Sequence, residues 1–339
     1  MQRGAFVFDK RGEVATGLEQ RVVTDKKLVS IVVPCFNEID NVEPMSQAII
    51  AQMAELPQYD YEIIFIDNFS SDGTRDKLRL ICGQQPKVRA ILNSKNFGQF
   101  NSPYYGLCQA HGDCAIAMGC DFQDPVELIP QMLELWKEGH GVVCPVKVES
   151  DESRVLYLLR SMYYGLIKKL SSVDQIEHFT GFGLYGRQFL NVMKDLDDPT
   201  PFLRGIVAEL GPGDRAILPY HQAKRRAGKS HNNFMTLYDA TMLSFTSYTK
   251  APLRVATLIG FAASAVSVLL AVVYLILKLT NWNAWPTGSI PILLAVLVLG
   301  SLQLFFIGML GEYVLAINAR SMRRPLVVED ERLGDWDDE

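Results

Sequence analysis

Two stretches near the C-terminus restrict this chain more than any other feature. Residues 255–277 form a run of 23 without a charge, and residues 290–310 form a second uncharged apolar run; Lys278 is the single charge between positions 255 and 311. A helix of 23 residues covers about 34 Å, enough for a hydrocarbon core of about 30 Å. Both runs are apolar all round rather than striped, which favours lipid over the core of a soluble domain. The connection TNWNAWPTGS places two tryptophans, a proline and a glycine in a short turn, suited to an interface with aromatic anchors. Lys250 and Arg254 precede the first run, Arg320, Arg323 and Arg324 follow the second, and the connection has no basic residue. Positive charge at both outer ends predicts that the N-terminal region and the acidic tail VVEDERLGDWDDE face the cytoplasm. Glu312, beside Tyr313 at the inner end of the second run, is either a functional intramembrane carboxylate or a headgroup-level marker of the span's end.

Residues 1–250 are charged throughout. The net charge of −5 argues against a general polyanion or nucleic-acid binder, so any phosphate-binding role must come from local clusters. The six cysteines, at 35, 82, 108, 114, 120 and 144, include no CxxC pair and read as reduced core thiols. Residues 1–27 mix charges of both signs without an apolar segment; they read as an extension, not a secretory signal.

Between 28 and 143 strand and helix patterns alternate. Residues 28–33 (LVSIVV), 61–66 (YEIIFI), 88–92 (VRAIL) and 114–118 (CAIAM) are short apolar runs bounded by turn residues, and a fifth begins at Val142. Helical stretches are expected over about 40–55, from the Ser70–Gly73 turn to about 84, over 97–110, and from Pro125. This rhythm predicts an α/β fold with a parallel sheet and helices on both faces, in which ligands bind outside the carboxyl ends of the strands. The segments to inspect are therefore 34–38, 67–68, 93–96 and 119–124, and three of the four carry carboxylates.

Asp121, Phe122, Gln123 and Asp124 follow the fourth strand. Such a loop suits a hard divalent cation, Mg²⁺ or Mn²⁺, whose shell is completed by ligand phosphates and water; an Asp–Pro step is equally a common helix start. Asp67 suits hydrogen bonds from a base or ribose, or stabilises a turn. YHQAKRRAGKSH (220–231) gathers Lys224, Arg225, Arg226 and Lys229 around Gly228, a cluster for diphosphate oxygens or for anionic headgroups. Residues 154–169 and 233–248 have the composition of interfacial helices or of core helices.

Together these residues resemble a glycosyltransferase family 2 enzyme of the polyprenyl-phosphate type, the group of dolichol-phosphate mannose synthases and bacterial undecaprenyl-phosphate glycosyltransferases of O-antigen modification. The resemblance spans about 28–326. The family's opening strand with "YNE" is IVVPCFNE (31–38), its "VDDGSxDGT" is IDNFSSDGT (66–74), and its "NxGxxxA" is NFGQFNSPYYGL (96–107). Its "DADLQDPPE" is GCDFQDPVE (119–127) and its "RxAGxSK" is RRAGKSH (225–231); Gly311–Tyr313 and Arg324–Pro325 follow in order. The departures are Gly119 for the first Asp of the DxD, Asn68 for the second Asp of the strand-two motif, TGFGLYGR (180–187) for "GDFRLLDR", and His231 for lysine.

The resemblance implies a GT-A (Rossmann-like) domain over 28–230, a juxtamembrane interfacial helix over 231–254, two transmembrane helices over 255–318 and a cytoplasmic acidic tail over 319–339. It implies inverting, single-displacement transfer from a UDP-, GDP- or dTDP-linked sugar to a polyprenyl phosphate at a bacterial inner membrane; the paired membrane helices, for their part, suit self-association into a homo-oligomer. Pro34, Phe36, Asn37, Glu38, Asp67, Asn96, Gly119 and Cys120 are implied for the nucleotide. Asp121 and Gln123 are implied for the metal, Asp121, Arg225, Lys229 and Ser230 for catalysis, and Arg226, Lys229 and His231 for the acceptor phosphate. A processive polysaccharide synthase, faintly echoed by Gln222–Arg225–Arg226, and a non-catalytic nucleotide-sugar scaffold are the rival readings.

Overall fold

The computed structural model describes residues 26–148, 176–223, 225–226, 241–243, 289–322 and 324–336, and scattered positions between 258 and 280. Its centre is an eight-stranded sheet: β1 (Lys27–Cys35), β2 (Tyr59–Asp67), β3 (Val88–Asn93), β4 (Cys114–Ala117), β5 (Val142–Lys147), β6 (Gly183–Gly186), β7 (Ala216–Tyr220) and β8 (Glu329–Leu333). Across the sheet the order is β7-β5-β6-β4-β1-β2-β3-β8.

The pleat explains the two cores. On β1, Val29, Ile31 and Val33 point to one face, where they meet Val42, Met45 and Ile49 of helix α1 (Val42–Ala54), Leu78 and Ile81 of α2 (Thr74–Gln84), and Ile129 and Met132 of α4 (Ile129–Lys137). Val32 points the other way, with Ile64, Ile66 and Ile91, against Tyr104 and Leu107 of α3 (Gly98–Cys108), Phe189 and Leu190 of α5 (Arg187–Leu196), and Ile206 and Val207 of α6 (Leu203–Leu210). Period-two alternation on the strands and three-to-four spacing on the helices give every element one buried face. Each fully buried isoleucine contributes about 2–3 kcal/mol. A Cβ on Gly106 would lie 2.8 Å from Val32 Cγ1, so glycine there lets α3 sit directly on β1.

The expected all-parallel sheet is corrected to a mixed one. Strands β3, β2, β1 and β4 are parallel to their neighbours, as are β5 and β7, but β6 runs antiparallel to both β4 and β5, and β8 antiparallel to β3. β6 needs small residues, because a Cβ on Gly183 would stand 2.5 Å from Val143 O of the adjoining strand. β8 comes from the acidic C-terminal stretch, so part of that tail is the edge strand of the sheet. All six cysteines are free thiols.

The last helix, α7 (Ser289–Ser321), extends past the apolar run to Ser321 and so carries Glu312 and Arg320. Its Leu302–Ser321 segment is long and apolar enough to cross a membrane. Leu304, Phe305, Ile307, Leu315 and Ile317 on it are exposed, as are Leu258, Phe261, Leu269 and Leu279, and the described positions between 258 and 280 are helical. The end of α7 meets the sheet domain where Arg320 Nε lies 3.6 Å from Asp198. The expected interfacial helix over 154–169 lies outside the described residues, and of that over 233–248 only the helical 241–243 is described.

Candidate active site

The strand order puts β2 and β3 on one side of β1 and β4 on the other, so the chain reverses its direction across the sheet between β1 and β4, and the carboxyl ends of these strands are the place for a ligand. A cavity of about 530 Å³ opens there, with Pro34 from β1, Gly119, Asp121, Gln123 and Asp124 from the loop after β4, and Lys147 and Gln222 among its lining residues.

The loop after β4 is organised by its own carboxylates. Asp124 Oδ2 accepts the Gly119 N–H at 2.9 Å, and Asp121 Oδ1 accepts the Gln123 N–H at 3.1 Å. A Cβ on Gly119 would lie 3.3 Å from Asp121 Oδ1 and 3.3 Å from Asp124 Oδ2. The space of the missing first Asp is therefore bounded by two carboxylates no further apart than twice that distance. Burial pushes the Asp124 carboxyl up to about 6, and the Asp121 charge adds to the rise, while the Gly119 N–H, Lys147 and the Tyr220 hydroxyl (3.3 Å) work against it. Asp124, in the sequence both a carboxylate of the cation-suited loop and the Asp of an Asp–Pro helix start, stands beside a second carboxylate at the cavity.

Two acidic oxygens beside a cavity suit a hard divalent cation. Among the described residues no group of three or more His, Cys, Asp or Glu side chains converges as a metal cage. Protein ligands here would number few, as in sites where a diphosphate and water complete the shell.

Arg225 joins the strand ends: its guanidinium pairs with Glu38 and lies 3.6 Å from Asp121 Oδ2. The Arg226 N–H donates to the Asp121 carbonyl at 3.3 Å, and its guanidinium sits over the Phe122 ring at 5.0 Å. Both arginines of the basic segment are thus brought to the β4 loop, in contact with carboxylate and backbone. Lys229, Ser230 and His231 lie outside the described residues.

The nucleotide candidates form a second, knitted zone. Asn37, at φ 55°, donates its N–H to Ser70 Oγ at 2.7 Å, and its Oδ1 accepts the Ser71 N–H at 2.9 Å. The Glu38 N–H donates to Thr74 Oγ1 at 2.9 Å. These bonds lock the β1 loop, with half-buried Phe36, onto the β2 loop. Asp67 is fully buried; its Oδ2 accepts the N–H groups of Phe69 and Ser70, each at 3.1 Å, whereas its Oδ1 has no hydrogen-bond partner. Burial pushes its carboxyl above the ordinary value, against the pull of Ser70 and Arg75. A buried acceptor without a partner is rare in a folded protein.

Asn68 and Asn96 are occupied differently. The Asn68 amide donates to Asn96 Oδ1 (2.9 Å) and Gly98 O (3.1 Å) and accepts from Asn93 and the Phe97 N–H, tying β2 to the start of α3. Asn96 Oδ1 also accepts the Gly98 N–H, so this pair shapes the loop. Cys120 is buried, with its thiol held protonated by burial and by Glu38. Gly181, where the family motif has a carboxylate, lines the cavity at φ +97°, the left-handed region that favours glycine.

The sequence pattern described as Glycosyl transferase family 2 matches residues 30–211. A bactoprenol glucosyl transferase of Shigella phage SfV is 32% identical over 90% of this chain and 99% of its own length. A putative glycosyltransferase of Bacillus subtilis is 30% identical over 88% of this chain and 90% of its own. Among solved structures, mannosyl-3-phosphoglycerate synthase of Rubrobacter xylanophilus superposes with a TM-score of 0.45 at 17% identity, covering 64% of this chain and 71% of that one. With the family pattern covering more than half its length, and relatives of this similarity over nearly all of it, the chain is a glycosyltransferase with a GT-A-like α/β fold and belongs to glycosyltransferase family 2.

Proposed function

We propose that this enzyme moves a sugar from a nucleotide-sugar to the phosphate of a polyprenyl lipid at the cytoplasmic face of a membrane, with inversion at the anomeric carbon. The observation that carries the reading is the cavity at the ends of β1 and β4, where Asp121 and Asp124 stand beside Pro34 and within reach of Arg225. The relatives named bactoprenol glucosyl transferases support a polyprenyl phosphate as acceptor.

Each part has a chemical task. The open Asp67 oxygen accepts from the base or ribose of a UDP-, GDP- or dTDP-linked donor, and the locked 36–38 loop shapes the nucleotide's seat. Asp121, Asp124 and the Gln123 amide would hold Mg²⁺ or Mn²⁺, which when bound neutralises the diphosphate leaving group. Arg225, with Lys229 and Ser230, is assigned to diphosphate oxygens; the Glu38–Arg225–Asp121 contacts hold that guanidinium at the cavity until a phosphate competes for it. Arg226, Lys229 and His231 are assigned to the acceptor phosphate. That phosphate is already anionic, so it needs positioning and charge screening rather than a strong base, consistent with glycine at 181. Phe100, Phe182 and Phe202 wall the cavity and limit the water that would hydrolyse the donor.

The topology supports membrane placement. The chain leaves the sheet after β7 and returns to it at β8, so any membrane crossings between these strands must be even in number. With an apolar helix ending at Ser321, that favours a hairpin of two spans, and the basic flanks favour a cytoplasmic sheet domain. The test is release of nucleoside diphosphate by purified full-length protein across UDP-, GDP- and dTDP-sugars. Release that rises with added polyprenyl phosphate and stops on chelation of divalent cations is expected; release indifferent to the lipid would refute the acceptor.

A further inference from the structure

Phe69 occupies a place where the family motif has glycine, and it holds the backbone glycine would hold, at φ 70°. Left-handed backbone is costly for a bulky side chain. Phe69 is nonetheless kept there by the bond of its own N–H to Asp67 Oδ2, and its ring remains 46% exposed. The Arg75 guanidinium lies over the ring at 5.7 Å from its centroid and is itself fixed by Asp330 of β8 at 2.7 Å. One face of an aromatic ring is thus backed by a cation, two residues from a fully buried carboxylate whose Oδ1 has no hydrogen-bond partner.

An exposed, strained aromatic does nothing for the core, and the adjacent open acceptor needs a donor. A planar heterocycle with an N–H on its edge satisfies both. From this juxtaposition we infer that Phe69 is a stacking platform for the base of the donor nucleotide, with Asp67 Oδ1 reading the base edge and Arg75 stiffening the platform from behind. Phe69 is then a specificity-determining residue that raises affinity for the base and leaves the diphosphate contacts untouched. The inference rests on the nucleotide-sugar reading above.

The test is calorimetric titration of full-length protein in detergent with UDP, GDP, dTDP and base-free pyrophosphate. Wild-type binding of at least one nucleoside diphosphate checks the functional reading on its own; if none binds, that reading fails and this inference with it. Given such binding, Phe69→Ala is expected to weaken it about 5- to 20-fold, the scale of one lost base–aromatic stack, and to leave pyrophosphate unchanged. Phe69→Trp is expected to retain affinity. Phe69→Gly is expected to lose affinity as alanine does while its thermal midpoint stays level or rises by about 2 °C, because glycine relieves the positive φ. Unchanged nucleoside diphosphate affinity in the alanine and glycine variants would overturn the inference and leave the functional reading standing. An equal loss for pyrophosphate, or affinity and thermal midpoint falling together in Phe69→Gly, would overturn it by assigning Phe69 a structural role.

Discussion

Strand β2 carries two buried carboxylates, Glu62 near its start and Asp67 at its end, and they are treated in opposite ways. Glu62 is enclosed by donors: the Ser30 hydroxyl at 2.5 Å, the His111 backbone N–H at 2.8 Å and Arg89 at 2.7 Å, with the His111 ring 3.2 Å away. Trp336, beyond β8, closes over this group, with Arg89 5.5 Å from its ring centroid and His111 edge-on at 5.9 Å. Asp67, five residues on, keeps one oxygen without a partner. The same functional group on the same strand is thus a structural clamp toward the amino end and an unpaired acceptor at the carboxyl end. Asp121 and Asp124 extend the pattern: at the carboxyl ends two half-buried acidic groups stand close together, an arrangement that costs stability until a ligand shares the charge.

The contrast can be broken most forcefully at Asp121. Asp121→Ala is expected to lower the rate of lipid-linked sugar formation by about 100-fold or more with the thermal midpoint kept within a few degrees; unchanged turnover would remove Asp121 from the machinery. Glu62→Ala is expected to do the reverse. Breaking a buried, hydrogen-bonded pair costs about 3 kcal/mol, which lowers the thermal midpoint by about 6–12 °C for a domain of this size, while the donor KM of the folded fraction stays the same. A changed KM with normal stability would erase the distinction between the two ends.

Asp67→Asn sharpens the contrast on a smaller scale. The loop bonds from Phe69 and Ser70 can still be accepted, so the fold survives, and donor KM is expected to rise about 5- to 10-fold, the scale of one weakened hydrogen bond to a charged group. The smallest effect concerns pH. The Asp67 pKa is raised above its ordinary 3.8 on folding, so its stabilising contribution is fully present below that value and is lost as pH rises through the folded pKa. Thermal midpoints followed upward from pH 4 should therefore fall less in Asp67→Asn than in the wild type.

The parallel half of the fold was legible because β1 to β4 are short apolar runs ending in turn residues, and because Pro34–Glu38, Asp67 and Gly119–Asp124 fall at or just past their carboxyl ends. β6 was not legible: GLYG has no strand signature, and its glycines answer to the carbonyls of a neighbouring strand. β8 was hidden for another reason. EDERL reads as solvated tail, yet an edge strand tolerates charges, and here Asp330 and Glu331 find Arg75 and Arg79 on α2. In the site, Asp121 could be read from its motif. Asp124 belongs to the same loop and was legible with it, but the Lys147–Gln222 pair (2.7 Å) was not, because its part depends on segments of chain that only folding brings to one cavity.

The most direct test of the central claim is the mass of the product. Full-length protein supplied with a nucleotide-sugar, a divalent cation and polyprenyl phosphate is predicted to yield a lipid heavier by a single sugar residue, attached through the phosphate and stoichiometric with the nucleoside diphosphate released. A lipid pool of unchanged mass despite donor turnover, or lipid carrying a growing chain of sugars, would contradict it.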